Sequence, residues 1–219
     1  MMEYVEFAAW LKEVYALSGE IVVDLLRSHT NDVFLIRAGE EKYILKLYAP
    51  SWHSESEIRY EIAFLDHLAN KGLWVANAIR GKDDQALHFI PAPQGQQCAV
   101  LFEYADGKKP QPPFSAQLYY NFGQAIARMH TLSDDFATEY ARTPLDLAYL
   151  LDKPLDLALP MVASEEDRLL LQEVAHKIRH KITELEARGD TLGEQTRAAN
   201  ELCHGRELRT EPSYSQASF

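Results

Sequence analysis

Between Ile21 and Tyr48 the chain carries three short apolar runs: Ile21–Leu26 (IVVDLL), Val33–Ile36 (VFLI) and Tyr43–Tyr48 (YILKLY). Two polar stretches, Arg27–Asp32 (RSHTND) and Ala38–Lys42 (AGEEK), separate them. Short runs of β-branched and aromatic residues bounded by turn residues specify an antiparallel meander. Whatever else the chain does, this part of it is expected to be a sheet.

The flanking segments read as follows. Residues 4–17 have Val5, Ala8, Ala9 and Leu11 at helical spacing, and Ser18-Gly19 ends that pattern. Pro50 closes the third strand, and a helix is expected over Glu55–Asn70, with Gly72 just past its end. Two further strands fit Ala86–Ile90 and Ala99–Tyr104, joined by the turn-forming stretch Pro91–Gln97. The proline-rich segment Ala105–Pro113 (ADGKKPQPP) is the natural linker. Beyond it the pattern turns helical. Ser115 is placed to cap a helix reaching Leu132, with Leu118, Phe122, Ala125, Ile126 and Met129 as its apolar stripe. A short helical piece fits Leu145–Leu151. A long one fits Ser164–Arg188, with Glu165, Glu166 and Asp167 in its first turn.

The expected class is therefore α+β: a five-stranded antiparallel N-terminal lobe with one helix between strands (1–104), a linker (105–114) and an incomplete, mainly helical C-terminal lobe (115–204). Residues 205–219 have only Leu208, Tyr214 and Phe219 as large hydrophobes, so a disordered tail is expected there. The helices around Leu118–Met129 and Leu169–Ile182 are expected to expose apolar surface that favours self-association.

Charge narrows the functional classes. The formal net charge of -11 repels a nucleic-acid backbone on average, whereas a nucleotide phosphate needs only one lysine and a few amides. The two cysteines, Cys98 and Cys203, are too few and too distant for a disulfide framework and lack metal-ligand spacing. The start MMEYVEFAAWLKEVYAL has acids where a signal peptide needs bases, and no run approaches the roughly 20 apolar residues that span a bilayer. A cytoplasmic protein without membrane or nucleic-acid partners is expected.

Lys46 is the sharpest chemical feature. It stands between Leu45 and Leu47, on the strand face shared by Ile44 and Tyr48. An ammonium held inside such a sheet needs a counter-charge, because desolvating it alone is costly. Glu61 is the expected partner, since it borders the Ile58, Ile62 and Leu65 stripe of the following helix; Glu57, one turn earlier, is the substitute. A strand lysine paired with a glutamate of the next helix is how kinases hold ATP phosphates. The strand Ala99–Gly107 (AVLFEYADG) suits a hinge whose backbone pairs with adenine. The turn Ser28–Asp32 lacks the glycines of a phosphate-covering loop, so Ser28, Thr30 and Asn31 would donate through side chains instead. His130 is read as a cap or packing residue. Cys203 and His204 are adjacent and so poorly placed to act as nucleophile and base.

In this order, and with APSWHSESEIRYEIAFLDHL, FGQAIARMHTL, PLDLAYLLDKPL and ELCHG, these features resemble the aminoglycoside phosphotransferase and homoserine/choline kinase superfamily. They are most like its bacterial stress-response kinase branch, which also has a glycine-poor phosphate loop. The resemblance spans about residues 20–205 and implies a protein-kinase-like fold that transfers the ATP γ-phosphoryl group to a hydroxyl of an acceptor, here unknown. It implies that Lys46 holds the α- and β-phosphates, Glu61 orients Lys46, and Phe102, Glu103, Tyr104 and Ala105 meet the adenine.

The catalytic loop departs from that pattern. The family reads His-Gly-Asp and then Asn, whereas here His204 and Gly205 are followed by Arg206, and no Asn follows. Glu207 is one place too far along and its side chain is longer. The resemblance therefore implies a magnesium-dependent reaction whose metal ligands, including a later Asp, are absent from this sequence. Little catalysis is expected of such a chain, which is consistent with a reading-frame shift after Gly205. A pseudokinase that still binds nucleotide or a partner, or an inactive truncated product, is the alternative expectation.

Overall fold

The computed structural model describes residues 4–50, 52–92 and 95–187. Their contacts divide them into two compact units, one up to Ala141 and one from Arg142. The expectations for His204, Gly205 and the 205–219 tail lie outside the described residues.

The first unit begins with α1 (Tyr4–Val14), followed by the meander β1 (Ile21–Ser28), β2 (Asn31–Ala38) and β3 (Glu41–Tyr48). After α2 (Glu55–Asn70) come β4 (Leu87–Ala92), β5 (Gly95–Glu103) and α3 (Ala116–Ser133). The five strands are antiparallel in the order β1-β2-β3-β5-β4. The strands run longer than their apolar runs because hairpin ends pair polar residues too: Ser28 sits opposite Asp32, and Ala38 opposite Glu41. Pro91, Ala92 and Gly95–Gln97, expected as turn, are likewise paired, with Ala92 opposite Gly95. Pro91 is tolerated because β4 is an edge strand, where a missing N–H costs no ladder bond. Gly95 supplies the positive φ of 120° that the tight connection requires.

Strand alternation assigns the sheet's two faces. One packs Phe7 and Leu11 of α1, and Tyr15 just past its end, on Phe34, Ile36 and Leu45. The other bears Lys46, with Val33 and Val100 directly across from it on the neighbouring strands. α1 stops at Val14, three residues before the expected end. Its last carbonyls are satisfied from outside the helix: the Lys82 amide donates to Val14 O at 2.9 Å, and Lys82 Nζ donates to Lys12 O at 2.8 Å.

Tyr15 and His88 tie α1 to the sheet. The Tyr15 hydroxyl lies 3.1 Å from His88 Nδ1, and His88 Nε2 lies 3.1 Å from Asp83 Oδ1. Burial pushes the Tyr15 hydroxyl well above the usual tyrosine range, so it stays protonated beside the imidazole.

α2 has defined ends. Ser54 accepts from the Glu57 amide while the Glu57 side chain accepts from the Ser54 amide, a reciprocal capping box. At the other end Gly72 (φ 76°) and Leu73 donate to Ala69 and Leu68, a Schellman closure. Between them Ile58, Ile62 and Leu65 are buried, as their spacing predicts. Ser115 caps α3 through the Leu118 amide. Of the expected α3 stripe only Met129 is fully buried, and Phe122 is exposed. α3 is tied to the rest of its unit near its C-terminal end, where Arg128 donates to Gly72 O at 3.1 Å.

In the second unit a π-helical turn (Ala148–Asp152) leads into α4 (Lys153–Ala158), a 3-10 turn (Leu159–Met161) and α5 (Glu165–Ala187). The helical piece starts later than Leu145 because Asp146 caps it, accepting from the Tyr149 amide at 2.9 Å. Ser164 caps α5 through the Asp167 amide at 3.2 Å, and Arg179 grips Asp152 with two hydrogen bonds. No described helix is long and apolar enough to cross a membrane.

Two outcomes follow. Ser54→Ala removes the α2 cap and is expected to cost about 1 kcal/mol, read as a lower urea midpoint with an unchanged slope. Asp83 is held below its ordinary carboxylate value, first by the Gln85 amide and then by His88. Its folded value is the lower one, so its stabilisation is complete above the ordinary value. That stabilisation fades as pH falls through the lowered one. Asp83→Asn should therefore shallow the acid limb of stability against pH and leave the alkaline limb unchanged.

Candidate nucleotide-binding site

β3 delivers Lys46 and α2 delivers Glu61. Lys46 Nζ lies 3.3 Å from both Oε1 and Oε2 of Glu61, with side-chain exposures of 15% and 20%. The pair is thus largely withdrawn from water, where a charge without a partner is costly. Its two equal contacts are longer than the shortest charge-assisted bonds, so the ammonium is shared rather than locked onto one oxygen.

Tyr48 completes the arrangement. Two residues beyond Lys46 on the same strand face, its hydroxyl donates to Glu61 Oε2 at 2.9 Å. Lys46 Nζ stands 4.2 Å from the centroid of the Tyr48 ring, within cation–π range. The ring is fully buried and meets His53 edge-on at 5.8 Å. The ammonium therefore has a carboxylate and an aromatic face as neighbours, and one tyrosine serves both charges. The sequence reading placed Tyr48 on this face without giving it a role; its position at i+2 from Lys46 was the available signal. Glu57, the substitute partner, is engaged at the helix N-terminus in the capping box, where its Oε2 accepts from the Ser54 amide at 2.9 Å.

The expected hinge lies at the end of β5. Phe102 is buried opposite Ile44, on the Lys46 face. Glu103 points to the other side, where its Oε2 accepts from the Asn77 amide at 3.2 Å while its own amide donates to Asn77 O at 2.9 Å. The Tyr104 ring carries Lys42 Nζ at 5.4 Å, and Ala105 is half-buried. Lys46 pairs with Val100, so the hinge begins two to three residues along β5, about 7–10 Å away.

The β1–β2 turn is knitted to its surroundings. The Ser28 hydroxyl donates to Asp32 Oδ1 at 2.5 Å, and Asn31 Oδ1 accepts from the Ala49 amide at 3.1 Å. Thr30 is exposed. Side chains expected to face a phosphate are thus engaged in shaping the turn. Asn31 keeps its carboxamide nitrogen as a donor, and its oxygen anchors the chain leaving β3. The structure brings Lys46, Glu61 and Tyr48 into direct contact.

The chemistry of these groups fits a nucleotide. A fixed ammonium and a strand end with main-chain groups lie on one sheet. Among the described residues no cluster of three or more His, Cys, Asp or Glu side chains could hold a metal ion. His204 and Gly205, the remnant of the expected catalytic loop, lie outside the described residues.

Comparison with known proteins shows the family and the fold. The model of a phosphotransferase enzyme family matches residues 23–205. An uncharacterized protein of Deinococcus radiodurans is 32% identical over 200 residues, which cover 90% of this chain and 54% of that protein. A homoserine kinase of Bradyrhizobium diazoefficiens is 27% identical over 111 residues, covering 51% of this chain and 32% of that one. The chain spans about half the length of the first of these relatives and less of the second. In fold it is similar to the amicoumacin kinase hAmiN in complex with AMP-PNP, Ca2+ and Ami (TM-score 0.64, 21% identity, 82% of this chain and 54% of that one). It is also similar to a microcompartment-associated aminopropanol kinase (TM-score 0.58, 21% identity, 68% and 47%). With its α+β architecture and its strand lysine paired to the next helix, the chain belongs to the phosphotransferase enzyme family.

Proposed function

We propose that this chain binds ATP on the sheet face that carries Lys46, and that it transfers the γ-phosphoryl group poorly. The observation that carries the reading is the Lys46–Glu61 pair, 3.3 Å apart and mostly shielded from water. In the proposed complex Lys46 meets the α- and β-phosphates, while Glu61 and Tyr48 keep its ammonium aimed. The main chain from Phe102 to Ala105 meets the adenine. Glu103 takes part through its backbone alone, because its side chain is turned to Asn77. Asn31, and with it Ser28 and Thr30, sits at the turn that would cover the phosphates.

Weak transfer is favoured by one sequence feature: Arg206 stands where the family's loop has Asp. That Asp orients the acceptor hydroxyl, and a guanidinium cannot accept its proton. A non-catalytic role in which nucleotide binding persists is the corresponding second reading. Magnesium, which the family uses, supplies charge neutralisation at the phosphates when bound, and no described cluster is assigned to it.

Titration calorimetry with ATP, with and without magnesium, tests binding. Lys46→Met is expected to weaken affinity by about ten- to a hundredfold, the value of a charge-assisted contact, and Tyr48→Phe by a smaller factor. Equal affinity of Lys46→Met and the unmodified chain would falsify the site. A γ-phosphate transfer assay separates the two readings.

Self-association is proposed through α5. Leu170, Val174 and Ile178 are exposed at 57%, 43% and 42% and lie on one flank of the helix. The flank is acidic at Asp167 and basic at Lys181. Two antiparallel copies about Val174 would set Leu170 on Ile178 and Asp167 against Lys181, a self-complementary contact. Light scattering after gel filtration is expected to give a dimer that Val174→Lys converts to a monomer. A monomeric unmodified chain sinks this proposal.

A further inference from the structure

The end of α3 and the residues after it return along α2 and touch it from end to end. Near the C-terminal end, His67 Nε2 donates to Leu132 O at 2.8 Å, and Asp135 pairs with Lys71. In the middle, Phe136 sits edge-on among Tyr60, Phe64 and His67, with ring centroids 5.3, 4.9 and 5.2 Å away. At the N-terminal end, the Ser56 hydroxyl donates to Ala141 O at 2.9 Å and accepts from the Ala141 amide at 2.8 Å.

Residues 56, 60, 64 and 67 of α2 and its C-cap Lys71 make these contacts, one continuous stripe at helical spacing. It runs about 22 Å along the helix. Ile58, Glu61, Leu65 and Leu68 form a neighbouring stripe, which holds Glu61 at Lys46. α2 is therefore gripped on two flanks, and only one of them is the sheet. The grip matters because the ion pair has little slack: at 3.3 Å, a shift of α2 by about 1 Å takes the pair past hydrogen-bonding distance.

We propose that Ser133–Ala141 is an intramolecular strap that sets the position of α2 and thereby aims Glu61 at Lys46, with Phe136 and Ser56 as its positioning residues. Phe136 fixes the rotation of the helix by filling the groove between Tyr60 and Phe64. Ser56 fixes its translation by a two-way hydrogen bond to main chain, which a sliding helix cannot keep. Neither residue touches the proposed nucleotide, so each acts only through Glu61. The claim rests on the nucleotide reading of Lys46 for its functional consequence and on contacts alone for the hold on α2.

The experiment combines two readouts on the full chain. ATP affinity is measured for Phe136→Ala, for Phe136→Leu and for Phe136→Ala combined with Glu61→Gln. Amide hydrogen exchange is followed in α2 and in β3 and β5 of the same proteins. Phe136→Ala should weaken ATP binding about tenfold, Phe136→Leu should restore most of it, and in the Glu61→Gln background the loss should vanish. Exchange should speed up in α2 and stay slow in the sheet. Equal losses in both backgrounds, or exchange rising everywhere together, overturn the strap. If Phe136→Ala unfolds the chain, Ser56→Ala, which removes one hydroxyl at the surface, carries the same comparison. If the unmodified chain fails to bind ATP, the nucleotide reading falls, and exchange alone decides: unchanged α2 protection in Phe136→Ala overturns the strap, and selective loss upholds its hold on the helix.

Discussion

An ammonium inside a sheet is the constraint from which the rest of the first unit follows. Lys46 is flanked by apolar neighbours on its strand and by valines across it on both sides. Leaving it there without a partner costs more than one residue's packing returns. A carboxylate must come from the covering layer, so α2 has to lie at one height and one rotation. The capping box and the Schellman closure set where that helix begins and ends, and the proposed strap sets its rotation and translation. Tyr48 then links the charges by donating to the acid while its ring faces the base.

Much of this was legible in the residues themselves. The meander, α2 with its Gly72 closure, the Ser115 and Ser164 caps and the Lys46–Glu61 pairing all rest on local rules: period, turn chemistry and the need for a counter-charge. What escaped depends on partners distant in sequence. The end of α1 at Val14 is set by Lys82, and the paired residues around Gly95 are set by strand register rather than by hydrophobicity. The roles of Tyr48 and Phe136 required knowing which side chains share a groove. The phosphate-facing role expected for Ser28, Thr30 and Asn31 illustrates the limit. Residue type says that a side chain has a donor, and only coordinates say that the Ser28 hydroxyl and the Asn31 oxygen are already engaged.

The two units contribute differently to function. The first contains every described group with a part in the nucleotide reading. The second contributes a long helix with apolar residues facing outward and a charge gradient along one flank. Acids in the first turn of α5 are explained by the helix dipole. The basic residues around Lys177–Lys181 are not, because they sit before the last turn. Those bases are held by local ion pairs instead, Lys177 with Glu173, Arg179 with Asp152 and Lys181 with Glu184.

The placement of α1 carries a consequence for defining the domain. The family match begins at residue 23, yet Phe7, Leu11 and Tyr15, which precede it, supply one wall of the hydrophobic core. A boundary drawn at residue 23 would cut through that core and take Phe7, Leu11 and Tyr15 away from Phe34, Ile36 and Leu45. The short helix ahead of the matched segment is a structural member of the fold.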